Sequence, residues 1–136
     1  MANNWIFTKE NSIFTILSTK IKQKYSDITC TRDGKPSDTT NKFPCMYARF
    51  LSIEMGTGLA DDEVNAIMST IKITVIGNKT VTMTKTRQIA FDIMTILKGI
   101  GYRATMLPQV QDTSNETVVY VLEVRREIGA LDTIKG

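Results

Sequence analysis

The spacing of the apolar residues constrains this chain most, because it changes between an extended and a helical repeat along the sequence. Ile71, Ile73 and Val75 alternate with polar residues, which predicts a half-buried strand over 70–76. The segment 116–126 predicts the last strand in the same way. One face of that strand consists of Val118, Tyr120, Leu122 and Val124.

Apolar residues recur at the helical spacing in two other segments. From Thr8 to Tyr25 one helical face carries Ile13, Phe14, Leu17 and Ile21. The second stripe predicts a helix that Thr82 or Thr84 can cap, and it consists of Ile89, Ala90, Ile93, Met94, Leu97 and Ile100. Gly101 follows this stripe, so we expect it to end the helix in a left-handed conformation.

Three shorter segments, 28–32, 43–54 and 102–107, predict further strands, separated by polar connections at 33–42, 55–65 and 108–115. In the segment 43–54 the alternating residues are Phe43, Cys45, Tyr47 and Leu51, and Pro44 is tolerable only at the start. The predicted fold is therefore α+β, in the order α-β-β-β-α-β-β. We expect one domain, 1–136, with a mixed, mostly antiparallel sheet of four to five strands packed against two helices, both on one side.

The composition excludes several classes of protein. Seventeen basic and 14 acidic residues give a net charge of +3, spread along the chain without a basic block, which disfavours nucleic-acid binding. Histidine is absent, so the commonest general base is missing and we expect no enzyme. No apolar run approaches the roughly 20 residues of a membrane span, and Met1 to Trp5 lacks a signal-peptide layout, so we expect a cytosolic protein without membrane contact.

Three motifs contain residue types that could form a chemical site. Asp61, Asp62 and Glu63 could bind a divalent cation or support an acid-only active site, but consecutive acids on a loop are more often a solvated charge cluster. Gly56-Thr57-Gly58 lacks the third glycine and the following helix of a phosphate-binding loop. Cys30 and Cys45 have no histidine or Cys-x-x-Cys partner, so nucleophilic and zinc-binding roles have no support. They could lie near one another on paired strands, but the chain shows no export signal and reducing compartments disfavour disulfides, so we expect free thiols. The sequence predicts no catalytic, metal or cofactor site.

Apolar residues near both ends of the chain suggest contacts with other molecules. Trp5 and Phe7 form either a hydrophobic staple or an interface, and Leu131 and Ile134 continue beyond the last strand. We expect the segments 1–8 and 127–136 to act as contact arms. Arg125 and Arg126 could form a basic face with Lys85, Arg87 and Arg103, or be scattered surface charge. The candidate interface residues are Trp5, Phe7, Lys35, Asp38, Asp61, Asp62, Glu63, Arg125, Arg126, Leu131 and Ile134.

The layout resembles the tail terminator, or tail-completion, proteins of long-tailed bacteriophages. The resemblance lies in the N-terminal helix, the strand start Phe43-Pro44-Cys45, the strand Thr70 to Ile76, the helix Thr84 to Gly99, and Gly101-Tyr102-Arg103 opening the next strand. It covers roughly Lys9 to Arg126 and is a resemblance of layout and hydrophobic pattern.

The resemblance implies a homohexameric ring in the virion neck that caps the tail tube, stops its growth and offers a joining surface to the head-completion or connector protein. DNA passes through the lumen without being read, and the family has no catalytic residues. The segments 33–42 and 55–65 would be docking elements. Independently, the exposed edges of a small sheet can pair with a neighbouring copy and close a ring.

Two other readings remain open. One is a different structural component of the phage neck or baseplate, which would differ only in its partner. The other is a small basic module that binds nucleic acid on its sheet face, which should carry exposed aromatic residues interleaved with Lys or Arg. Tyr120 lies among aliphatic residues, which favours core packing instead.

Overall fold

The computed structural model describes residues 4–32, 44–54, 66–78, 83–113 and 117–134. This part of the chain forms two helices and five strands in the predicted order, which confirms the α+β class. The elements are α1 (Asn4–Lys24), β1 (Thr29–Arg32), β2 (Cys45–Glu54), β3 (Ala66–Asn78), α2 (Met83–Gly99), β4 (Arg103–Thr113) and β5 (Thr117–Gly129).

The five strands form one sheet in the order β1-β2-β3-β5-β4. β1 pairs with β2 in parallel, and the other three pairings are antiparallel, so the sheet is mixed and mostly antiparallel as predicted. The two central strands, β3 and β5, pair along their whole length, from Ala66 opposite Gly129 to Asn78 opposite Thr117. The two strongest alternating patterns in the sequence therefore lie at the centre of the sheet.

The core lies between the helices and one face of the sheet. Alternation and register place Met46, Ile73 and Leu122 on this face, where they meet the apolar stripes of both helices. The largest fully buried side chains of the core are Ile13, Leu17, Ile21, Met46, Ile67, Ile71, Ile73, Ile89, Ile93, Leu97, Leu122 and Ile128. Every strand residue in the core cluster lies on this one face, so both helices cover the same side of the sheet.

The first helix begins earlier than the apolar spacing predicts. α1 starts at Asn4 rather than Thr8, and Trp5 and Ile6 in its first turn pack against the core. The described part of the segment 1–8 is therefore helix and not a separate arm, because burying Trp5 against the core extends the helix toward the N-terminus. Lys22 and Lys24 in the last turn favour the negative end of the helix dipole.

The predicted connection at 108–115 is wrong over 108–113, because β4 continues to Thr113. Pro108 is tolerated since β4 is an edge strand, and the register shifts between Met106 and Gln109, where Pro108 lies. β5 likewise continues to Gly129, so residues 127–129 belong to the sheet and not to a C-terminal arm.

Gly101 ends the second helix as predicted. Its φ is +97°, a left-handed conformation that favours glycine. Tyr102 N–H donates to the Leu97 carbonyl at 3.0 Å, and Gly101 N–H donates to the Lys98 carbonyl at 3.1 Å, which satisfies two carbonyls of the last turn. The chain then turns directly into β4.

Candidate interaction surfaces

The face of the sheet opposite the helices, called here the bare face, is covered by no helix of the described part of the chain. Cys45, Tyr47 and Leu51 share a face, as their alternation predicts, but this is the bare face and not the core. Met46 and Ala48 point to the core instead. The remaining bare-face residues of the three central strands include Arg49, Ile53, Met68, Thr70, Lys72, Thr74, Val119, Val121, Glu123, Arg125 and Glu127.

Charged and apolar residues occupy different parts of the bare face. Arg49, Lys72 and Glu123 lie side by side in a cross-strand row near the middle of the sheet. Leu51 and Ile53 lie toward the end of β2, and their exposed fractions are 43% and 63%. This end of the bare face is therefore an uncovered aliphatic surface on a regular part of the sheet.

Thr70 is an unusual residue of the bare face. It lies between Leu51 and Arg125 in the pairing register and is buried. Its hydroxyl is the one buried side-chain oxygen or nitrogen in the described residues that has no hydrogen-bond partner. Leaving such a group unpaired costs about 1–3 kcal/mol, so the folded chain carries this cost at the bare face.

The two edges of the sheet are poor templates for adding another strand. β1 has only four residues. β4 is longer, but its pairing with β5 is interrupted by register shifts at three places between Ala104 and Asp112. Short and irregular edge strands are common protections against edge-to-edge pairing. The two edge strands therefore offer no long and regular edge for pairing with a neighbouring copy.

The C-terminal turn, Gly129–Asp132, presents a single apolar side chain to solvent. Asp132 N–H donates to the Gly129 carbonyl at 3.1 Å, and Gly129 N–H donates to Asp132 Oδ2 at 2.7 Å. Lys9 Nζ on α1 donates to the Asp132 carbonyl. Leu131, at the tip of this turn, is 98% exposed. The turn is thus hydrogen-bonded on both sides while its leucine touches almost nothing.

A groove of about 680 Å³, called here the α2 groove, lies beside the N-terminal half of α2. Its lining residues are Met83, Thr84, Arg87, Gln88, Phe91 and Tyr120. Tyr120 is buried and belongs to the core cluster, so it forms the floor of the groove. The Arg87 guanidinium lies over the Phe91 ring, 5.2 Å from the ring centroid. The groove therefore combines aromatic surface with one cation.

A buried ion pair ties α1 to the β1 edge of the sheet. Arg32 Nη2 donates to Glu10 Oε1 at 2.8 Å, and Ser52 Oγ donates to Glu10 Oε2 at 2.8 Å. The Arg32 guanidinium also lies 5.0 Å from the centroid of the Phe50 ring. Both Glu10 oxygens are thereby satisfied, which is what a buried carboxylate requires. This arrangement holds α1 against the β1 edge of the sheet, and both members of the ion pair are engaged in it.

Two tyrosines are also used structurally. Tyr25 Oη donates to Asp92 Oδ2 at 2.5 Å and joins the residue after α1 to α2. Burial, the hydrogen bond to Asp92 and the charge of Asp92 raise the pKa of Tyr25 to about 12. Tyr102 Oη lies 2.9 Å from Ser69 Oγ in the core, and burial is the main cause that raises the pKa of Tyr102 to about 12.

The two cysteines are free, as predicted. Cys30 pairs with Met46 in the register of β1 and β2, so it faces the helices, while Cys45 lies on the bare face. Neighbouring positions on opposite faces cannot form a disulfide without moving the backbone. Burial raises the pKa of the Cys30 thiol against the opposing effect of Lys22, and burial together with Cys30 raises the pKa of Cys45 to about 11. Neither thiol is activated as a nucleophile.

The described members of the predicted interface set differ in their exposure. Lys35, Asp38, Asp61, Asp62 and Glu63 lie outside the described residues. Trp5 and Ile134 are partly buried against the core, which favours the packing role over the interface role for both. Phe7 and Leu131 are exposed and stay candidates.

The predicted basic face is divided by the fold. Arg103 and Arg125 pair directly on β4 and β5. Arg126 points to the opposite side, where its Nη1 donates to the Ile100 carbonyl at 2.8 Å. Lys85 and Arg87 belong to α2, on the helix side of the sheet. Only Arg103 and Arg125 of these five are thus brought together on the bare face.

Sequence reasoning missed the α2 groove. Met83, Arg87 and Phe91 recur at a spacing of four residues, which places them on one side of a helix next to the buried stripe. That spacing was a usable signal for a second, shallower surface on α2. The contribution of Tyr120 could not be read in this way, because it depends on how α2 lies across β5.

In the described part of the chain, no three side chains of the types His, Cys, Asp or Glu lie together so that they could hold a metal ion. None of the described helices is long and apolar enough to cross a membrane. A scan of protein-family models gives no match to this sequence, and a search of curated proteins finds no relative.

Proposed function

We propose that this chain is a structural subunit that assembles with copies of itself into a ring, caps a bacteriophage tail tube and joins it to the head. The observation that carries the proposal is the distribution of exposed large apolar side chains over separate parts of the surface. In the described residues these are Phe7, Leu51, Ile53, Met83, Leu107, Val110 and Leu131.

Single exposed apolar residues are normal on a monomer, so their arrangement matters more than their presence. Leu51 and Ile53 adjoin on an uncovered sheet face, beside the unpaired hydroxyl of Thr70. Leu131 stands on a hydrogen-bonded turn at another place on the surface. A subunit with neighbours on two sides, and with partners above and below, needs several such surfaces at once. This pattern supports an assembly role over a free-standing one.

The partners in this proposal are other copies of the chain, the tail tube protein and the head-completion or connector protein of the neck. DNA passes through the ring without specific contacts, and the working location is the virion. The number of copies, six, comes from the resemblance to tail terminators. The absence of histidine and the structural use of Glu10, Tyr25 and Tyr102 support a role without catalysis.

The proposal is tested by adding the purified chain to the polymerising tail tube protein of the parent phage and measuring tube lengths by electron microscopy. The proposal expects shorter tubes that end in a ring. Tubes of unchanged length and with bare ends contradict it. Rings found at the neck or baseplate of intact particles, but not on growing tubes, would favour another structural component of the same region.

A second candidate, a nucleic-acid-binding module, is favoured by one observation. Arg49, Lys72, Arg103 and Arg125 all lie on the bare face, and Tyr47 lies beside them. Glu123 and Glu127 lie on the same face and weaken its positive potential. This candidate expects single-stranded DNA to bind with an affinity that falls steeply with salt, and to bind much less tightly to Lys72→Glu.

A further inference from the structure

We infer that the exposed Leu131 of one copy inserts into the α2 groove of a neighbouring copy, and that this contact joins the copies head to tail. The inference rests on the proposed function, since it names the contact between ring subunits. Two surfaces of the described residues lead to it, the C-terminal turn with its exposed Leu131 and the α2 groove.

The C-terminal turn is built to present one apolar side chain. Gly129 and Asp132 hold the turn through two hydrogen bonds, and Lys9 holds it to α1. Ile134 packs against the core just beyond it. Leu131 is nevertheless 98% exposed. Because the turn is already ordered, inserting its leucine into a partner costs little conformational entropy.

The α2 groove offers the complementary surface. Phe91 and Tyr120 give it an aromatic lining, and Met83 at its rim is an adaptable apolar residue. Arg87 supplies one positive charge. On the turn, the carboxylate of Asp132 directly follows Leu131 and is exposed. In the inferred contact, Leu131 enters the apolar part of the groove and the Asp132 carboxylate lies near the Arg87 guanidinium. Because these charges are opposite, we infer that this turn is the occupant of the groove.

The position of the two surfaces requires the contact to be made between copies. The groove lies at Tyr120, near the start of β5, whereas the turn follows Gly129 at its end. At roughly 3.3 Å per residue the two lie about 30 Å apart along the strand, so one chain cannot fill its own groove. Leu131 beyond one end of β5 and the groove near the other make a heterologous contact between copies. Such a contact repeats from copy to copy and closes into a ring when the rotation between neighbours allows it.

The test is disulfide trapping in the full chain carrying Leu131→Cys and Met83→Cys. The inference expects mild oxidation to give a ladder of covalent oligomers that reduction collapses to one band. The matched control carries Leu131→Cys with Lys72→Cys, which places the second thiol on the bare face, away from the groove. A ladder that is equally strong in the control, or absent in the test variant, overturns the inference.

A second measurement uses single substitutions. Leu131→Asp is expected to raise the dissociation constant between copies by about tenfold or more, because it removes a buried leucine from the contact. Gln23→Asp, which introduces the same side chain at an exposed position of α1 outside the turn and the groove, is the control and should leave association unchanged. Association that is insensitive to Leu131→Asp overturns the contact.

The outcomes separate this inference from the proposed function. If the wild-type chain forms rings but the variant with Leu131→Cys and Met83→Cys gives no cross-link, the contact is overturned and the ring is not. Open filaments or dimers that do cross-link support the contact but contradict the terminator role. A chain that stays monomeric at every concentration, alone and on tail tubes, overturns both.

Discussion

Glu10 is the residue on which the attachment of α1 depends most at the β1 edge. Its two oxygens accept hydrogen bonds from Arg32 and Ser52, both at 2.8 Å, and its side chain is buried. The apolar spacing does not predict this contact, since Glu10 lies between Lys9 and Asn11 in the sequence and its partners lie 22 and 42 residues away. The spacing of apolar residues predicts which face of a helix is buried. It does not predict that a charged residue such as Glu10 is buried as well.

Glu10→Ala should lower the free energy of unfolding by about 3 kcal/mol, because it leaves the Arg32 guanidinium half-buried without its carboxylate. Chemical denaturation of the purified variant measures this. Asp27→Ala removes an exposed acid and is the matched control, with an expected change within about 0.5 kcal/mol. The double variant Glu10→Met/Arg32→Met should recover much of the loss. If it is no more stable than Glu10→Ala, the ion pair does not have this role.

Two tyrosines, the buried Tyr102 and the partly buried Tyr25, make stability depend on pH. The pKa values of Tyr25 and Tyr102 are raised from 10.0 to about 12 in the folded chain, so folding favours their neutral forms. Their contribution to stability is fully present below pH 10 and is lost as the pH rises from 10 toward 12. Denaturation at a series of alkaline pH values measures this fall, and Tyr25→Phe should make it shallower. Stability that declines well below pH 10, with the tyrosines still neutral, is the contrary result.

At the scale of elements, the end of α2 depends on the backbone of one residue. Gly101 has a φ of +97°, and a Cβ added there would meet Arg126 Nε at 3.1 Å. Gly99 is the last residue of the helix, and a Cβ added there would meet nothing within 4 Å. Two glycines that are almost adjacent in the sequence therefore have different roles. Only Gly101 adopts a backbone conformation that favours glycine over other residues.

Substitution of these glycines by alanine should consequently have opposite effects. Gly101→Ala is expected to lower the free energy of unfolding by about 1–2 kcal/mol through left-handed strain. Gly99→Ala should be neutral or stabilising by up to about 1 kcal/mol, because alanine favours the helix. Thermal unfolding of the two variants side by side makes the comparison. Equal losses in both would show that the conformation of Gly101 is not what the substitution disturbs.

The elements also show which sequence signals were sufficient. The strict alternation around Ile71 and Ile73 and the stripe from Ile89 to Leu97 located the central strand and α2 correctly, because each pattern reflects one buried face. The extent of β4 could not be read, since Pro108 is a strong local signal for a connection. Its tolerance follows from the edge position of β4, which is a property of the sheet order and not of the segment.

At the scale of the whole molecule, the sheet order decides which surfaces are available. Placing both helices on one side leaves the other face to Leu51, Ile53, Thr70 and a row of charges. Sequence patterns predicted the helices, the strands and the free thiols, but not this division. The phase of β2 illustrates why: both of its faces carry apolar residues, and only the packing of the helices decides that Met46 rather than Tyr47 faces the core.

The fold also separates predicted interface residues that are adjacent in the sequence. Arg125 and Arg126 are adjacent in sequence and point to opposite faces, as neighbours in a strand must. In the proposed ring, Leu131 of one copy meets the α2 groove of the next, although the two lie far apart in one chain. The function proposed for this chain therefore depends on its assembly with other copies.

The most direct test of that claim is the mass of the purified full chain in solution, measured by light scattering over a range of concentrations and again after mixing with tail tubes. If the chain forms the proposed ring, the measurement gives a species of six times the 15.2 kDa chain, either free in solution or formed only on tubes. A chain that remains at 15.2 kDa under both conditions, and that instead binds single-stranded DNA with a steep dependence on salt, would contradict it.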